Sequence, residues 1–202
     1  MTIRDDDEDT PLDWAAVADD PVDLKQLLSL KKIDVNAKNK YDDTSLHFAA
    51  FQGNVAQIES LLTIQTINVN SQNKDGDTAL HVAVYNGHLA VVKVLLNTIG
   101  IDVNVQDKDG NTPLHIAAYQ GDIDIVKLLL TMPAIDINAK NKYSSTALHL
   151  ATCHAHLEAA KLLLKAKDIN VYIKNQYNQT PLDIAKWSFY HEYVDQLRQS
   201  CA

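Results

Sequence analysis

Four histidines recur at intervals of 34 residues, and their spacing raises the question of a metal site. They are His47, His81, His115 and His149. Imidazole is a common metal ligand, and the ligands of one zinc ion all lie about 2 Å from it. If each histidine lies on its own helix and these helices pack side by side, their axes are roughly 8–10 Å apart. Successive histidines of this series, or column, are then too far apart to share an ion. The spacing therefore argues against a metal site shared by neighbouring members of this column.

A second cluster, Cys153-His154-Ala155-His156, also contains residue types that bind metals or act as nucleophiles. Residues two apart on a helix do not face one another, and no Cys-x-x-Cys spacing supports the cluster. Cys153 lacks an acid–base partner arrangement for nucleophilic catalysis. Gly76 and Gly110 are solitary turn glycines rather than parts of a phosphate-binding loop. The sequence predicts no metal site, no cofactor and no enzymatic activity.

The elements that position these residues repeat with the same period. The segment Asn111–Ala118 reads Asn-Thr-Pro-Leu-His-Ile-Ala-Ala, and its threonine recurs six times. The six are Thr10, Thr44, Thr78, Thr112, Thr146 and Thr180. A leucine follows each threonine by two residues, whereas the histidine position is Asp13 and Asp183 in the two outer copies. Six copies in one register indicate a repeat array, so each position is interpreted as a column across the copies.

Composition and charge narrow the class of protein. The 202 residues are 46% hydrophobic and 22% charged, with a formal net charge of −8. Residues 1–9 contain an acidic run, which predicts a disordered tail, and the remainder carries a charge of −4. A mildly acidic array argues against a nucleic-acid partner, because neutralising phosphates requires a basic surface.

Cellular location is predicted from cysteines and apolar segments. Cys153 and Cys201 lie in different repeats without the spacing of a disulfide framework, which favours a reducing compartment. The first residues lack the apolar stretch of a signal peptide. The most apolar windows, such as Ala90 to Leu96, are too short to span a membrane. We expect a cytoplasmic monomer with no membrane association.

Each repeat follows one local plan. The threonine is a candidate helix N-cap, and proline follows it in three copies, where a missing N–H costs nothing. Gly53, Gly87 and Gly121 fall nine residues after the threonine, where a helix end needs a left-handed residue, whereas the fifth copy has Ala155. A second helix, such as Asp124 to Leu130, leads to a short β-prone segment and a polar turn.

These motifs resemble the ankyrin repeat. The resemblance covers Thr10 to about the C-terminus and departs only in length, since ankyrin repeats usually run 33 residues. The tetratricopeptide repeat has 34 residues, but its Trp, Gly and Tyr signature is absent. The resemblance implies an all-α ankyrin-repeat solenoid with short β-turn fingers. It also implies a structural role for the recurring histidine, which is expected to hydrogen-bond the threonine turn and the adjacent repeat. We expect one domain, residues 10–202, with repeats starting near 10, 44, 78, 112, 146 and 180.

The two outer repeats are expected to act as caps with polar outer faces, because nothing stacks on them. Asp23 and Gln26 replace apolar residues of the second helix in the first copy, and Gln196 and Arg198 do so in the sixth.

The columns that vary are free to recognise a partner. The resemblance implies a concave face lined by the ends of the first helices and by the turn tips. Seven residues after the threonine stand Val17, Phe51, Tyr85, Tyr119, Cys153 and Trp187. The next residues include Gln52, Asn86, Gln120 and His154. Aromatic rings suit interface anchors, which favours a groove-facing stripe, although such rings could instead pack between repeats as core.

Tyrosines at the turn tips form a second candidate set. Tyr41, Tyr143 and Tyr177 lie three residues before the threonine, in the repeats that lack a glycine at the following position. Two interpretations stay open: each ring stabilises a turn without glycine, or the rings contact a partner. Lysines precede most tips and form a mildly positive ridge.

A column of asparagines lies before the turns: Asn36, Asn70, Asn104 and Asn138. It is similar to the asparagines that some ankyrin proteins offer to an asparaginyl hydroxylase, but we expect side-chain hydrogen bonding within the turn.

The predicted function is non-catalytic recognition of a protein partner on the concave surface. The alternative is a regulatory or inhibitory ankyrin protein that masks another protein's surface. The Ile-, Asn- and Lys-rich composition suggests an AT-rich genome, in which case the chain could be an effector of an intracellular microbe in a host cytosol.

Overall fold

Each threonine of the 34-residue register begins a short helix, which is followed by a second helix. The computed structural model describes residues 4–18, 21–29 and 33–187, and within them the structure is helices and turns without strands. The helices are α1 (Pro11–Val17), α2 (Pro21–Leu28), α3 (Ser45–Gln52), α4 (Val55–Leu62), α5 (Ala79–Tyr85), α6 (Leu89–Leu96), α7 (Pro113–Gln120), α8 (Ile123–Leu130), α9 (Ala147–Cys153), α10 (Leu157–Leu164) and α11 (Pro181–Trp187). The predicted all-α fold is confirmed.

Two compact units divide the chain, residues 1–102 and 103–202. In the first unit α1 packs on α3 and α3 on α5, while α2 packs on α4 and α4 on α6. In the second, α9 packs between α7 and α11, and α8 packs on α10. The leucine two residues after the threonine is buried in the first five repeats, as in Leu80 and Leu114, and small alanines such as Ala117 allow close approach of helices. The core of each unit is therefore built from the invariant columns.

The first helices are capped as the sequence predicts. Thr78 has an extended backbone, and its hydroxyl accepts the N–H of His81. Prolines follow the threonine at the first position of α1, α7 and α11. The threonine thus fixes where each repeat starts, and with it the phase of every later column.

Ala155 occupies a backbone conformation that favours glycine. Its φ is +60°, against +73° for Gly121 at the same position of the preceding repeat. A left-handed conformation costs a residue with a Cβ about 1–2 kcal/mol. The left-handed conformation expected at this position is confirmed, and its cost in stability stays a prediction.

We expect Ala155→Gly to stabilise the protein by about 1 kcal/mol, because relief of this strain exceeds the added freedom of glycine in the unfolded chain. Thermal and urea unfolding measure the change. Ala90→Gly, at an exposed position inside α6, is the control and should destabilise by a similar amount. A loss of stability for Ala155→Gly would contradict the assignment of strain.

The β-prone segments before the turns are not strands. Residues 35–36, 69–70, 103–104 and 137–138 form turns. Asn104 donates its amide N–H to the Ala134 carbonyl at 2.6 Å, and its Oδ1 accepts the Asp136 N–H at 2.8 Å. Asn138 bonds the carbonyl of Asp168 and the N–H of Asn170 in the same way. The asparagine column therefore joins each repeat to the next, rather than bonding within its own turn as predicted.

The acidic segment differs from the predicted disordered tail in its described part. Asp5 accepts the N–H groups of Asp7 and Asp9 on its side chain, and Asp5 N–H donates to the Asp9 carbonyl. Asn39 makes the same set of bonds with Tyr41 and Asp43, one period later. Residues 5–9 therefore form a turn of the repeat plan, because Asp5 occupies the asparagine position five residues before the threonine. The remaining division, one domain over 10–202, stays a prediction.

Candidate functional site

The buried histidines join the start of a first helix to the turn that leads into the next repeat, rather than bind a ligand. In His115 the Nδ1 atom accepts the Thr112 N–H at 3.2 Å, and Nε2 donates to the Ser145 carbonyl at 3.0 Å. His47 and His149 make equivalent bonds, to their own threonine and to the carbonyl of the residue just before the next threonine. Burial lowers the pKa of all three and keeps the rings neutral. The structural role is confirmed, and the described residues contain no group of three His, Cys, Asp or Glu side chains that could hold a metal.

The first repeat uses aspartate where the inner repeats use histidine. Asp13 Oδ2 accepts the N–H of Thr10 at 2.7 Å, and Oδ1 accepts the Ser45 hydroxyl at 2.5 Å. Burial raises the pKa of Asp13, although both hydrogen bonds lower it. A carboxylate cannot donate to a carbonyl as Nε2 does, so the serine of the second repeat supplies the proton of this link.

The predicted aromatic stripe is exposed. The exposed fractions are 59% for Phe51, 66% for Tyr85 and 51% for Tyr119. Each lies at or near the end of a first helix, next to buried residues of the same turn such as Ala50 and Val84. These fractions exclude the alternative in which the rings are core, and leave them available for contact.

The helix end that carries Phe51 is fixed by the following repeat. Nε2 of His88 donates to the Phe51 carbonyl at 2.9 Å, because a carbonyl oxygen can only accept a hydrogen bond. Gly53 ends α3 with a φ of +72°, and a Cβ there would lie 2.6 Å from Nδ1 of His88. Glycine thus permits the histidine to reach the helix end, and the pair holds the backbone from which the aromatic ring projects.

Tyr119 is supported in a different way. Its ring meets the His154 ring edge-on, with centroids 4.3 Å apart, and Nδ1 of His154 lies 3.0 Å from the Leu150 carbonyl. His154, a predicted contact residue, is exposed and also positions its neighbour. The pair presents one aromatic surface from two repeats of the second unit.

The other predicted contact residues next to the stripe differ in accessibility. Gln52 is exposed and Gln120 is half-buried. The Asn86 amide donates to the Val82 carbonyl at 2.8 Å and so caps its own helix. Trp187 ends α11, and its side chain lies outside the described residues, as do the predicted capping residues Gln196 and Arg198.

Lysines hold two of the turn-tip tyrosines. The Lys142 ammonium lies 5.0 Å from the centre of the Tyr143 ring and forms an ion pair with Asp109 of the preceding turn. Lys40 does the same between Tyr41 and Asp7. The carboxylate, followed by the tyrosine, raises the pKa of each lysine.

The tyrosine tips therefore combine features of both interpretations. The rings are about half exposed at Tyr41 and Tyr143 and 72% exposed at Tyr177. The residues that follow them, Asp42, Ser144 and Asn178, have positive φ, where other repeats have glycine. Each of the first two rings has one face against a local lysine, and the exposed remainder can contact a partner.

A groove of about 310 Å³ lies between α9 and α11, the first helices of the fifth and sixth repeats, and the turn tips that precede these helices. Tyr143 and Tyr177 line it together with Leu150, Cys153 and Ile184. Two of the predicted tips and one member of the stripe column are thus brought to one concavity of the second unit.

Sequence reasoning missed the column four residues after the threonine. Leu150 and Ile184 of this column line the groove, and Trp14 of the first repeat is 59% exposed. The signal was available, because residues three apart on a helix share a face and this column precedes the aromatic stripe by three residues.

Known ankyrin sequences and structures match almost all of the chain. Models of ankyrin repeats match residues 46–141 and 134–201 (three-copy model) and 12–62 (many-copy model). The crystal structure of the ankyrin repeat domain of Bcl-3, described as a unique member of the IκB protein family, has a TM-score of 0.88 and 29% identity. That match covers 98% of this chain and 85% of the other.

No curated protein sequence matches this one. Among the described residues no helix is long and apolar enough to cross a membrane. The ankyrin fold is that of a protein-interaction scaffold, and the matched models cover most of the sequence. The chain belongs to the ankyrin repeat family.

Proposed function

We propose that this chain is a non-catalytic recognition module that holds a protein partner on the surface formed by first-helix ends and turn tips. This is the concave surface that the family resemblance predicts. The observation that supports it is the exposure of Phe51, Tyr85 and Tyr119 at one repeat position beside fully buried neighbours. Its cysteine content favours action in a reducing, cytoplasmic environment.

Exposed aromatic rings supply binding energy efficiently. Tyrosine offers a large apolar area with a polar tip and few rotatable bonds, which is why it is common among residues that dominate interface affinity. The helix ends that carry these rings are fixed by hydrogen bonds, as between His88 and Phe51. A surface that is already ordered loses little conformational freedom on binding, so more of the contact energy appears as affinity.

Alanine substitution at the stripe tests this function. A partner is first captured from cell lysate with the full chain and identified by mass spectrometry. We expect Tyr85→Ala and Tyr119→Ala each to raise the Kd by roughly tenfold or more, because each removes an anchor. The unfolding midpoint should change little, since both rings are more than half exposed.

Tyr172→Ala is the matched control, because this tyrosine is 65% exposed in the turn after α10, outside the proposed surface. Its Kd should equal that of the unaltered chain. If both stripe variants bind the partner with unchanged affinity per folded molecule, the proposed surface is wrong.

A further inference from the structure

The groove between the fifth and sixth repeats differs in charge from comparable positions on the turn tips. At two other steps an acidic residue of one tip pairs with the lysine of the next, Asp7 with Lys40 and Asp109 with Lys142. At the step beside the groove, Tyr143 stands at the acidic position and Gln176 at the lysine position. The backbone link is kept, since Gln176 N–H donates to the Tyr143 carbonyl at 2.9 Å.

These two successive tips therefore keep the backbone hydrogen bond but have no ion pair between their side chains. The lining of the groove is likewise uncharged, because it contains tyrosine, amide, hydroxyl, imidazole and apolar groups and neither a carboxylate nor an ammonium. The His149 ring at its edge is held neutral, as burial lowers its pKa. Removing a charged group from water into such a site without a partner is unfavourable.

The lining of the groove offers apolar and polar groups to different parts of a ligand. Leu150 and Ile184 supply half-buried apolar surface, and Cys153 adds an exposed thiol. Gln176 and the Tyr177 ring form an exposed rim. A volume of about 310 Å³ accommodates one large side chain together with part of its backbone.

We infer that this groove binds an uncharged segment of the partner protein that inserts one large apolar or aromatic side chain. The inference rests on the proposed function and specifies the chemistry of one part of that surface. Charged side chains of the partner are excluded from the groove, and amide side chains at the rim are available to the polar backbone of the segment.

Cys153 permits a direct test, because it is exposed inside the groove and can serve as an attachment point. In a Cys201→Ser background, its thiolate attacks a symmetrical small-molecule disulfide. One protein–ligand S–S bond forms, the original S–S bond breaks, and one small thiol is released. The probes are the disulfides of 2-phenylethanethiol, cysteamine and 3-mercaptopropionate, equilibrated with 2-mercaptoethanol.

Mass spectrometry measures the fraction of each adduct. We expect the phenylethyl adduct to be about tenfold more stable against 2-mercaptoethanol than either charged adduct, because partial burial of a phenyl ring contributes on that scale. The matched site is Lys93→Cys, exposed on α6, in a chain that also carries Cys153→Ser and Cys201→Ser. There the three adducts should differ by less than about twofold.

Gln176→Lys restores the residue type found at the other tips and should leave folding intact, since this side chain is exposed. It should remove most of the phenylethyl preference and favour the 3-mercaptopropionate adduct. Gln65→Lys, at an exposed turn of the first unit outside the proposed surface, should leave the adduct preference at Cys153 unchanged.

Equal stability of the three adducts at Cys153, or a preference for a charged adduct in the unaltered groove, would overturn the inference. The adduct measurement and the partner-binding measurement can fail separately. Loss of partner binding in Tyr85→Ala and Tyr119→Ala would uphold that function even if the groove shows no preference, and unchanged binding would refute it whatever the adducts show.

Discussion

Lowering the pH from 7.5 to 5.5 is expected to reduce the free energy of unfolding, by up to about 1.4 kcal/mol for each histidine that stays neutral in the fold. The cause is the column of buried histidines. His47, His115 and His149 are neutral in the fold, and burial lowers the pKa of each. Protonation would place a charge in the core and convert the Nδ1 acceptor of the threonine N–H into a donor.

The direction follows from proton binding. In the unfolded chain a histidine has a pKa near 6.5, above its value in the fold, so the unfolded state binds more protons as the pH falls through this range. The stabilisation is complete above about pH 6.5 and is lost as the pH falls toward the folded values. Asp13 acts in the opposite sense. Burial raises its pKa in the fold, so its contribution to stability increases as the pH falls from the folded pKa toward the usual carboxyl value near 3.9.

Urea unfolding at a series of pH values measures the effect. His115→Gln keeps an acceptor for the Thr112 N–H but does not titrate, so we expect lower stability at pH 7.5 and a shallower loss toward pH 5.5. His154→Gln, at an exposed ring, is the control and should keep the slope of the unaltered chain. A slope in His115→Gln as steep as in the unaltered chain would contradict the assignment.

The scaffold was predictable because its columns repeat. The threonine that caps a helix and the leucine two residues later recur in all six copies, and the glycine with positive φ recurs in three, so the copies report one signal. Ala155 illustrates the strength of this inference, since its left-handed backbone was expected from the glycines at its register position. The β-prone segments did not form strands, because the Asn104 and Asn138 side chains take the backbone partners that a ladder would need.

Two other features were missed for a different reason. The acidic segment was interpreted by composition, and composition predicts disorder, whereas the column position of Asp5 indicates a turn. The groove depends on Leu150 and Ile184 from one helical column and Tyr143 and Tyr177 from the turns. Which columns converge on one concavity depends on tertiary packing, which the spacing of residues does not specify.

The second large effect is expected at the asparagine column. Replacing Asn138 by alanine should lower the free energy of unfolding by about 2 kcal/mol. Its side chain donates to the Asp168 carbonyl at 2.7 Å and accepts the Asn170 N–H at 2.8 Å, so the substitution removes two hydrogen bonds between repeats. A typical net contribution is about 1 kcal/mol for each bond.

The isosteric variant Asn138→Asp distinguishes hydrogen bonding from shape. It keeps the acceptor for Asn170 but turns a carboxylate oxygen toward the Asp168 carbonyl, so it should be at least as unstable as the alanine variant at neutral pH. Its deficit relative to the unaltered chain at the same pH should shrink near pH 4, where the carboxyl gains a donor proton. Asn97→Ala is the control, because this amide donates only within its own helix, to Lys93 at 2.9 Å. Its cost should be below about 1 kcal/mol. Bonds between repeats hold together segments that are distant in sequence, so a local rearrangement cannot replace them. A similar loss of stability for Asn97→Ala and Asn138→Ala would therefore contradict a role of this column in joining repeats.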